Sequence, residues 1–449
     1  MRCSELQEKR PRFLISGRLL VAATVALVAC NSYVVYYNGD DKPVARATSR
    51  AAPAAGVPGT LDDGIRKPQL ELEPQPDYFV LMNPLFKGLS CFACGAAHDK
   101  TVLQTVCTRC GMPLRVDYDL RPFSPEGRAP TLWRYQEVLP IAARDAVSLG
   151  EGFTPLLPAF DGLLVKDESR EPTGSFKARG MAVAVSMARA LGAKALAAPS
   201  AGNAAGALAA YGAAAKLPVV VAMPDDTPRA FIEECRHYGA EVHLVPGSIA
   251  DAGKWLKANG PRDAFDVSTL KEPYRVEGKK TMAYEIWEQL GGALPDAMVY
   301  PTGGGTGLVG MWKAFDEMQA LGFIGDERPR MVSVQTEGCA PVVKAFLSGA
   351  DKTEPWPSPH TAVYGLRVPS PIGGFLCLRA LRETRGTALA IPEAEIGPAT
   401  AELARRTGLD ICPEGGAAWV AVQRLRASGF LAAKDRVVLF NTGTGLKYR

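Results

Sequence analysis

The chain predicts an α/β protein with parallel sheets, on three observations. Its 449 residues are 47% hydrophobic, enough for a large core and too many for one compact unit, so two or more domains are expected. From Gly150 onward, short apolar runs alternate with segments of helical pattern, a rhythm that lays helices on both faces of parallel sheets. Residues 193–222 are rich in Ala, Gly and apolar runs, the composition of buried α/β packing.

Residues 1–81 read as an apolar segment and a linker. The run 19–30 carries no charge and follows Arg10, Arg12 and Arg18, the length and flank of a signal-peptide core and short for a membrane span. Leu27-Val28-Ala29-Cys30 resembles a bacterial lipoprotein cleavage box, and Tyr33, Tyr36 and Tyr37 would suit a membrane interface. Residues 39–77 have the Pro, Ala, Gly and acidic content of a linker. Three readings follow: export, a weak membrane anchor through 13–37, or an upstream start codon with Met82 as the true first residue. The last is the expectation, because the chain after Met82 reads as a cytoplasmic enzyme. A membrane partner is expected only if the segment is genuine.

Residues 82–120 read as a small cysteine module. Cys91-x-x-Cys94 and Cys107-x-x-Cys110 are separated by twelve residues, the spacing of a zinc ribbon with four thiolate ligands. Gly95 and Gly111, directly after each pair, allow the tight turn of a metal knuckle. Four protein ligands leave no open position, so the zinc would be structural. The alternative is two unrelated cysteine pairs in a loop. The other six cysteines are scattered, which suits a reducing compartment and no disulfide scaffold. The net charge of +4 is matched by the first fifty residues alone, which hold eight basic and four acidic side chains. The balanced remainder, with only Lys100, Arg109 and Arg115 around the cysteines, gives no reason to expect nucleic acid.

Residues 121–449 read as the catalytic body. Strands are expected at 163–165, 195–198, 219–223, 242–245, 298–300, 331–334 and 437–440, with helices at 175–191, 203–215 and 229–238 between them. Between the first strand and helix, Pro172 and Gly174 make a turn and Ser175 is the expected N-cap. Lys177 then lies in the first helical turn, where the positive helix end would lower its pKa. A neutral amine is what carbonyl chemistry at a lysine requires. Gly303-Gly304-Gly305-Thr306-Gly307 follows a strand and opens a helix, as anion-cradling loops do; a plain strand-to-helix turn is the bland alternative.

Pro172-Thr173-Gly174-Ser175-Phe176-Lys177 closely resembles the pyridoxal-phosphate lysine motif of fold-type II enzymes, threonine synthases above all. Pro199-Ser200-Ala201-Gly202-Asn203 is similar to that family's loop facing the cofactor ring, and Asn441-Thr442-Gly443-Thr444-Gly445-Leu446-Lys447 to its tail motif. The resemblance implies two three-layer parallel-sheet domains with pyridoxal 5'-phosphate between them. It implies that Lys177 holds the cofactor and is catalytic, that Asn203 bonds the cofactor hydroxyl, and that Thr442 meets the ring nitrogen. The glycine loop with Thr306 would bind the cofactor phosphate. Ser200 would touch a small amino-acid substrate, and Arg275 and Lys280 its phosphate. The implied reaction is O-phosphohomoserine and water to threonine and phosphate, and a homo-oligomer is expected.

Three departures favour a second reading, a serine or threonine ammonia-lyase. Ala178 stands where the family has Asp. Glu272 stands where Asn precedes the Pro of the phosphate-binding block, and the triple glycine is closer to dehydratases. A PLP-free scaffold using the ribbon for protein or RNA contacts is a third.

Overall fold

The computed structural model describes residues 82–449. The apolar run, the cleavage box and the linker of residues 1–81 lie outside the described residues.

Strands β1 (Phe86–Cys91), β2 (Ala97–His98) and β3 (Leu114–Tyr118) form an antiparallel sheet in the order β2-β1-β3. Gly95 and Gly111 have φ of 70° and 71°, and their N–H groups close turns onto the carbonyls of Cys91 and Cys107. This is the left-handed conformation that favours glycine. The module is packed onto the body: Phe86, Leu89, Leu114 and Val116 share an apolar cluster with Met181 and Val185.

The body begins with β4 (Leu156–Pro158), β5 (Leu163–Asp167) and helix α1 (Lys177–Ala190). Next come β6 (Ala195–Pro199), α2 (Asn203–Ala215), β7 (Val219–Pro224), α3 (Arg229–His237), β8 (Glu241–Val245), α4 (Ile249–Asn259) and β9 (Ala264–Asp266). These four strands make a parallel sheet ordered β8-β7-β6-β9. The chain continues through α5 (Tyr274–Gln289), β10 (Ala297–Pro301), α6 (Thr306–Ala320), β11 (Arg330–Thr336), α7 (Pro341–Leu347) and α8 (Gly374–Glu383). It ends with β12 (Thr387–Ile391), α9 (Glu393–Thr407), α10 (Pro413–Ala427) and β13 (Val437–Asn441).

The larger sheet is ordered β12-β11-β10-β13-β5-β4, with the smaller sheet inserted in sequence between β5 and β10. Five of its strands are parallel. β4 is the antiparallel exception. A short turn through Asp161 and Gly162, both at positive φ, leads straight into β5, and so short a connection can only join antiparallel neighbours.

Helix α5 is buried on every face from Tyr274 to Ile286, although it carries Arg275, Glu277, Lys279, Lys280 and Glu285. Two networks absorb most of this charge. Lys280 and Lys313 pair with Glu277 and Glu317, and Tyr118 of the cysteine module donates to Glu277 at 2.8 Å. Arg179 joins Glu168, Glu171 and Glu285, while Lys166 pairs with Glu285 at 2.8 Å. Buried ions need such pairing. α5 crosses α1 closely: a side chain at Gly278 would strike the carbonyl of Arg179.

Candidate active site

Each cofactor motif follows the C-terminal end of a parallel strand: Lys177 after β5, Ser200 and Asn203 after β6, the glycine loop after β10, and Thr442 after β13. Such strand ends are where open α/β sheets bind ligands. The lysine loop is tied to the segment after β13, because the N–H of Phe176 donates to the Thr442 carbonyl and that of Thr444 to the Gly174 carbonyl.

α1 starts at Lys177 with Phe176 as its cap residue and no side-chain cap bond. Ser175 is therefore not the N-cap. It forms a β-bridge with Gly443, and its hydroxyl is buried without a partner among the described residues. Lys177 is partly buried, its amine 3.8 Å from the centre of the Phe176 ring. Burial, and then the charge of Arg275, lower its pKa to about 7, against the opposing pull of Glu414 and Cys412. Burial and a neighbouring cation thus have the effect expected of the helix dipole.

Arg275 is buried in α5. Its Nη1 donates to the Val267 carbonyl at 2.8 Å, and its Nε has no partner among the described residues. One turn on, Lys279 is fully buried and donates to the Thr306 hydroxyl at 2.6 Å. Burial, Arg275 and Lys177 hold its amine well below the ordinary lysine range. Neither Arg275 nor Lys279 has an ion pair among the described residues. Lys280 departs from expectation: its ammonium is committed to Glu277 and Glu317 between α5 and α6. Glu272 accepts the N–H groups of Tyr274 at 2.7 Å and Arg275 at 3.0 Å, and burial raises its pKa to about 7. The extra carboxylate thus caps the start of α5, and burial makes it easier to protonate than an ordinary carboxylate.

The glycine loop is shaped by close approach. A side chain at Gly303 would strike the Gly365 carbonyl, and one at Gly304 the Thr269 methyl. Gly305 has φ of 82°, and α6 starts at Thr306. Thr442 is buried, its hydroxyl 3.7 Å from the Cys412 sulfur. Asn203 opens α2 and is partly buried, as is Ser200, whose N–H donates to the Ala222 carbonyl. Bare backbone at a helix start, beside buried basic side chains that have no ion pair among the described residues, is a site that fits a phosphate-bearing cofactor.

In the cysteine module, the sulfurs of Cys91, Cys94, Cys107 and Cys110 all lie within 4.8 Å of one another. His98 Nε2 is 3.3 Å from the Cys107 sulfur. Tetrahedral zinc with bonds of about 2.3 Å separates its sulfurs by roughly 3.8 Å, so the four thiols fit that ion.

Residues 147–443 match the family model described as pyridoxal-phosphate dependent enzyme. The chain belongs to that family and has its fold-type II architecture. Within the family it belongs with the threonine synthases. It is 34% identical to the threonine synthase of Methanosarcina acetivorans over 373 residues, covering 80% of this chain and 92% of that one. The threonine synthase of Methanocaldococcus jannaschii is 32% identical, with the same shares covered. Among solved structures, a threonine deaminase from T.th. aligns with a TM-score of 0.54 and 26% identity over 65% of this chain and 92% of its own. Maize serine racemase, at 19% identity and a TM-score of 0.54 over 65% and 88%, shares the fold. No helix among the described residues is long and apolar enough to cross a membrane.

Proposed function

We propose that this enzyme converts O-phosphohomoserine and water to L-threonine and phosphate. The observation that carries the reading is the pair Arg275 and Lys279, two buried basic side chains on one helix face with no ion pair among the described residues. Lys279, bonded to Thr306 of the glycine loop, serves the cofactor phosphate. That leaves Arg275 for a second anion, and a substrate phosphate supplies it. Pyridoxal phosphate, when bound, supplies the electron sink for charge that develops on the substrate carbons. Gly303, Gly304, Gly305, Thr306 and Gly307 cradle its phosphate at the start of α6, with Lys279 beside them. Asn203 faces its ring hydroxyl. Thr442 meets its ring nitrogen with a hydroxyl, which does not hold that nitrogen protonated and so keeps the sink mild. Lys177 holds the cofactor. Its amine, held far below the ordinary lysine range and so partly neutral near pH 7, then serves as base and acid for protons moving between substrate carbons. Arg275 binds the substrate phosphate and Ser200 contacts the amino-acid part. Lys280 drops out of the site and supports α5 instead.

The same proposal gives Cys91, Cys94, Cys107 and Cys110 one structural zinc ion and places the protein in the cytoplasm, where thiols stay reduced. Arg275→Ala tests the substrate. A lost charge-assisted contact is worth about 1.5–3 kcal/mol, or roughly ten- to a hundredfold. The variant should raise KM for O-phosphohomoserine by that factor and affect KM for any deamination of serine or threonine, which carry no phosphate, far less. Unaltered phosphohomoserine kinetics would give the site to the ammonia-lyase reading.

A further inference from the structure

Lys447, in the short 3-10 helix Gly445–Tyr448 after β13, has no part in the chemistry above. Its ammonium donates to the Thr173 carbonyl at 2.8 Å, to both oxygens of Glu234 at 2.7 and 2.8 Å, and to Oδ1 of Asn203 at 3.1 Å. Thr173 belongs to the loop before Lys177, Glu234 to α3, and Asn203 to the start of α2. One side chain thus reaches from the larger-sheet side to two elements of the smaller sheet.

The geometry has a consequence for the Asn203 amide. An ammonium has donors and no acceptor. The amide atom facing it must therefore be the oxygen, and the NH2 must point away. Nδ2 lies 3.5 Å from the Tyr448 hydroxyl, the outer limit of a hydrogen bond, so it has donor capacity to spare. Tyr448 gives its own proton to Glu414 at 2.7 Å. The Glu234 carboxylate neutralises Lys447, so the ammonium can stay in place without a net buried charge.

We propose that Lys447 is a positioning residue: it locks the Asn203 amide so that its NH2, and not its carbonyl, faces the ring oxygen of the cofactor. The inference rests on the reading of Asn203 as the partner of that oxygen. A ring oxygen bearing negative charge is stabilised by an N–H donor and opposed by carbonyl lone pairs. A freed amide would sample both orientations, and the electronic state of the cofactor would change with it.

The test uses the full-length enzyme loaded with pyridoxal phosphate and compares Lys447→Met, Lys447→Arg and Asn203→Ala. The readouts are the position of the visible cofactor band at fixed pH and the Kd for pyridoxal phosphate. Asn203→Ala should displace the band. Lys447→Met should displace it in the same direction and weaken cofactor binding by roughly tenfold, and Lys447→Arg should restore it. A merely structural tie between domains would lower stability in Lys447→Met and leave the band in place, which would overturn the proposal. So would a band that Lys447→Arg leaves as displaced as Lys447→Met does. If Asn203→Ala itself keeps the wild-type band, the reading of Asn203 fails, and the proposal with it. Should Lys447→Met not fold, Lys447→Leu takes its place. Its side chain is shorter and has no donor, and a wild-type band in that variant overturns the proposal equally.

Discussion

Arg275 and Lys279 stand four residues apart on α5, which puts them on one helix face. The motif Arg275-Val276-Glu277-Gly278-Lys279-Lys280 contains two lysines, and resemblance to a phosphate-binding block points to the second. Five residues carry a helix roughly 140° away from the starting side, and there Lys280 meets Glu277 at 2.6 Å, three residues back. Helical periodicity is the signal that selects Lys279. A motif match carries no such register, so it cannot tell the two lysines apart. The pairing of Lys447 with Asn203 and Glu234 has no local signal, since it joins residues more than two hundred positions apart.

Lys177 gives a pH prediction. Its amine is lowered from 10.5 to about 7 by burial and Arg275, and only the neutral amine captures a carbonyl. Uptake of pyridoxal phosphate by the cofactor-free protein should rise with pH through about 7 and then level off. Lys177→Ala should abolish covalent capture of the cofactor and turnover, and remain folded. A midpoint near the ordinary lysine value would contradict the burial account. The sign for stability follows from proton counting. Between about 7 and 10.5 the unfolded chain binds the proton that the folded site has lost, so this lysine's contribution to the stability of the cofactor-free protein grows as pH rises across that window.

Among the elements, those with short apolar runs or strong helical patterns are legible in the sequence: β5 to β8, β10, β11, β13 and α1 to α3 fall where the alternation predicts them. α1 starts two residues later than expected, because Ser175 bridges to Gly443 instead of capping the helix. α5 leaves no such signal, because a helix buried on every face shows no apolar stripe, and this one also carries internal ion pairs. β9, at three residues, is too short to leave a pattern. The α1–α5 crossing yields a packing test. Gly278→Ala would drive a methyl group into the Arg179 carbonyl, and overpacking of this kind costs about 1–3 kcal/mol. Chemical denaturation should show a lower midpoint, and an unchanged midpoint would mean that the helices have room to part. The cysteine module yields another. Cys94→Ser should lose the zinc, seen by elemental analysis, and some stability, while the body still binds pyridoxal phosphate. Intact protein without zinc would overturn the ribbon.

For the whole molecule, the alternation of strands and helices is enough to indicate parallel sheets, but the strand order is not readable. β13 lies between β10 and β5, and that neighbourhood is set by long-range packing which no local pattern encodes. The division of strands between two sheets is equally non-local. What the motifs do carry is chemical: four short segments, far apart in sequence, all come to lie after strand ends of these sheets. Beside them, α5 supplies Arg275 and Lys279, the two basic side chains that the proposed reaction assigns to the substrate and cofactor phosphates. The departures at Ala178, Glu272 and Gly303 do not remove either one. The most direct measurement is therefore a product assay on the purified wild-type enzyme loaded with pyridoxal phosphate. It should release phosphate and threonine in equal amounts from O-phosphohomoserine, and release ammonia from serine or threonine far more slowly. Faster deamination of threonine than formation of it from O-phosphohomoserine would contradict the assignment.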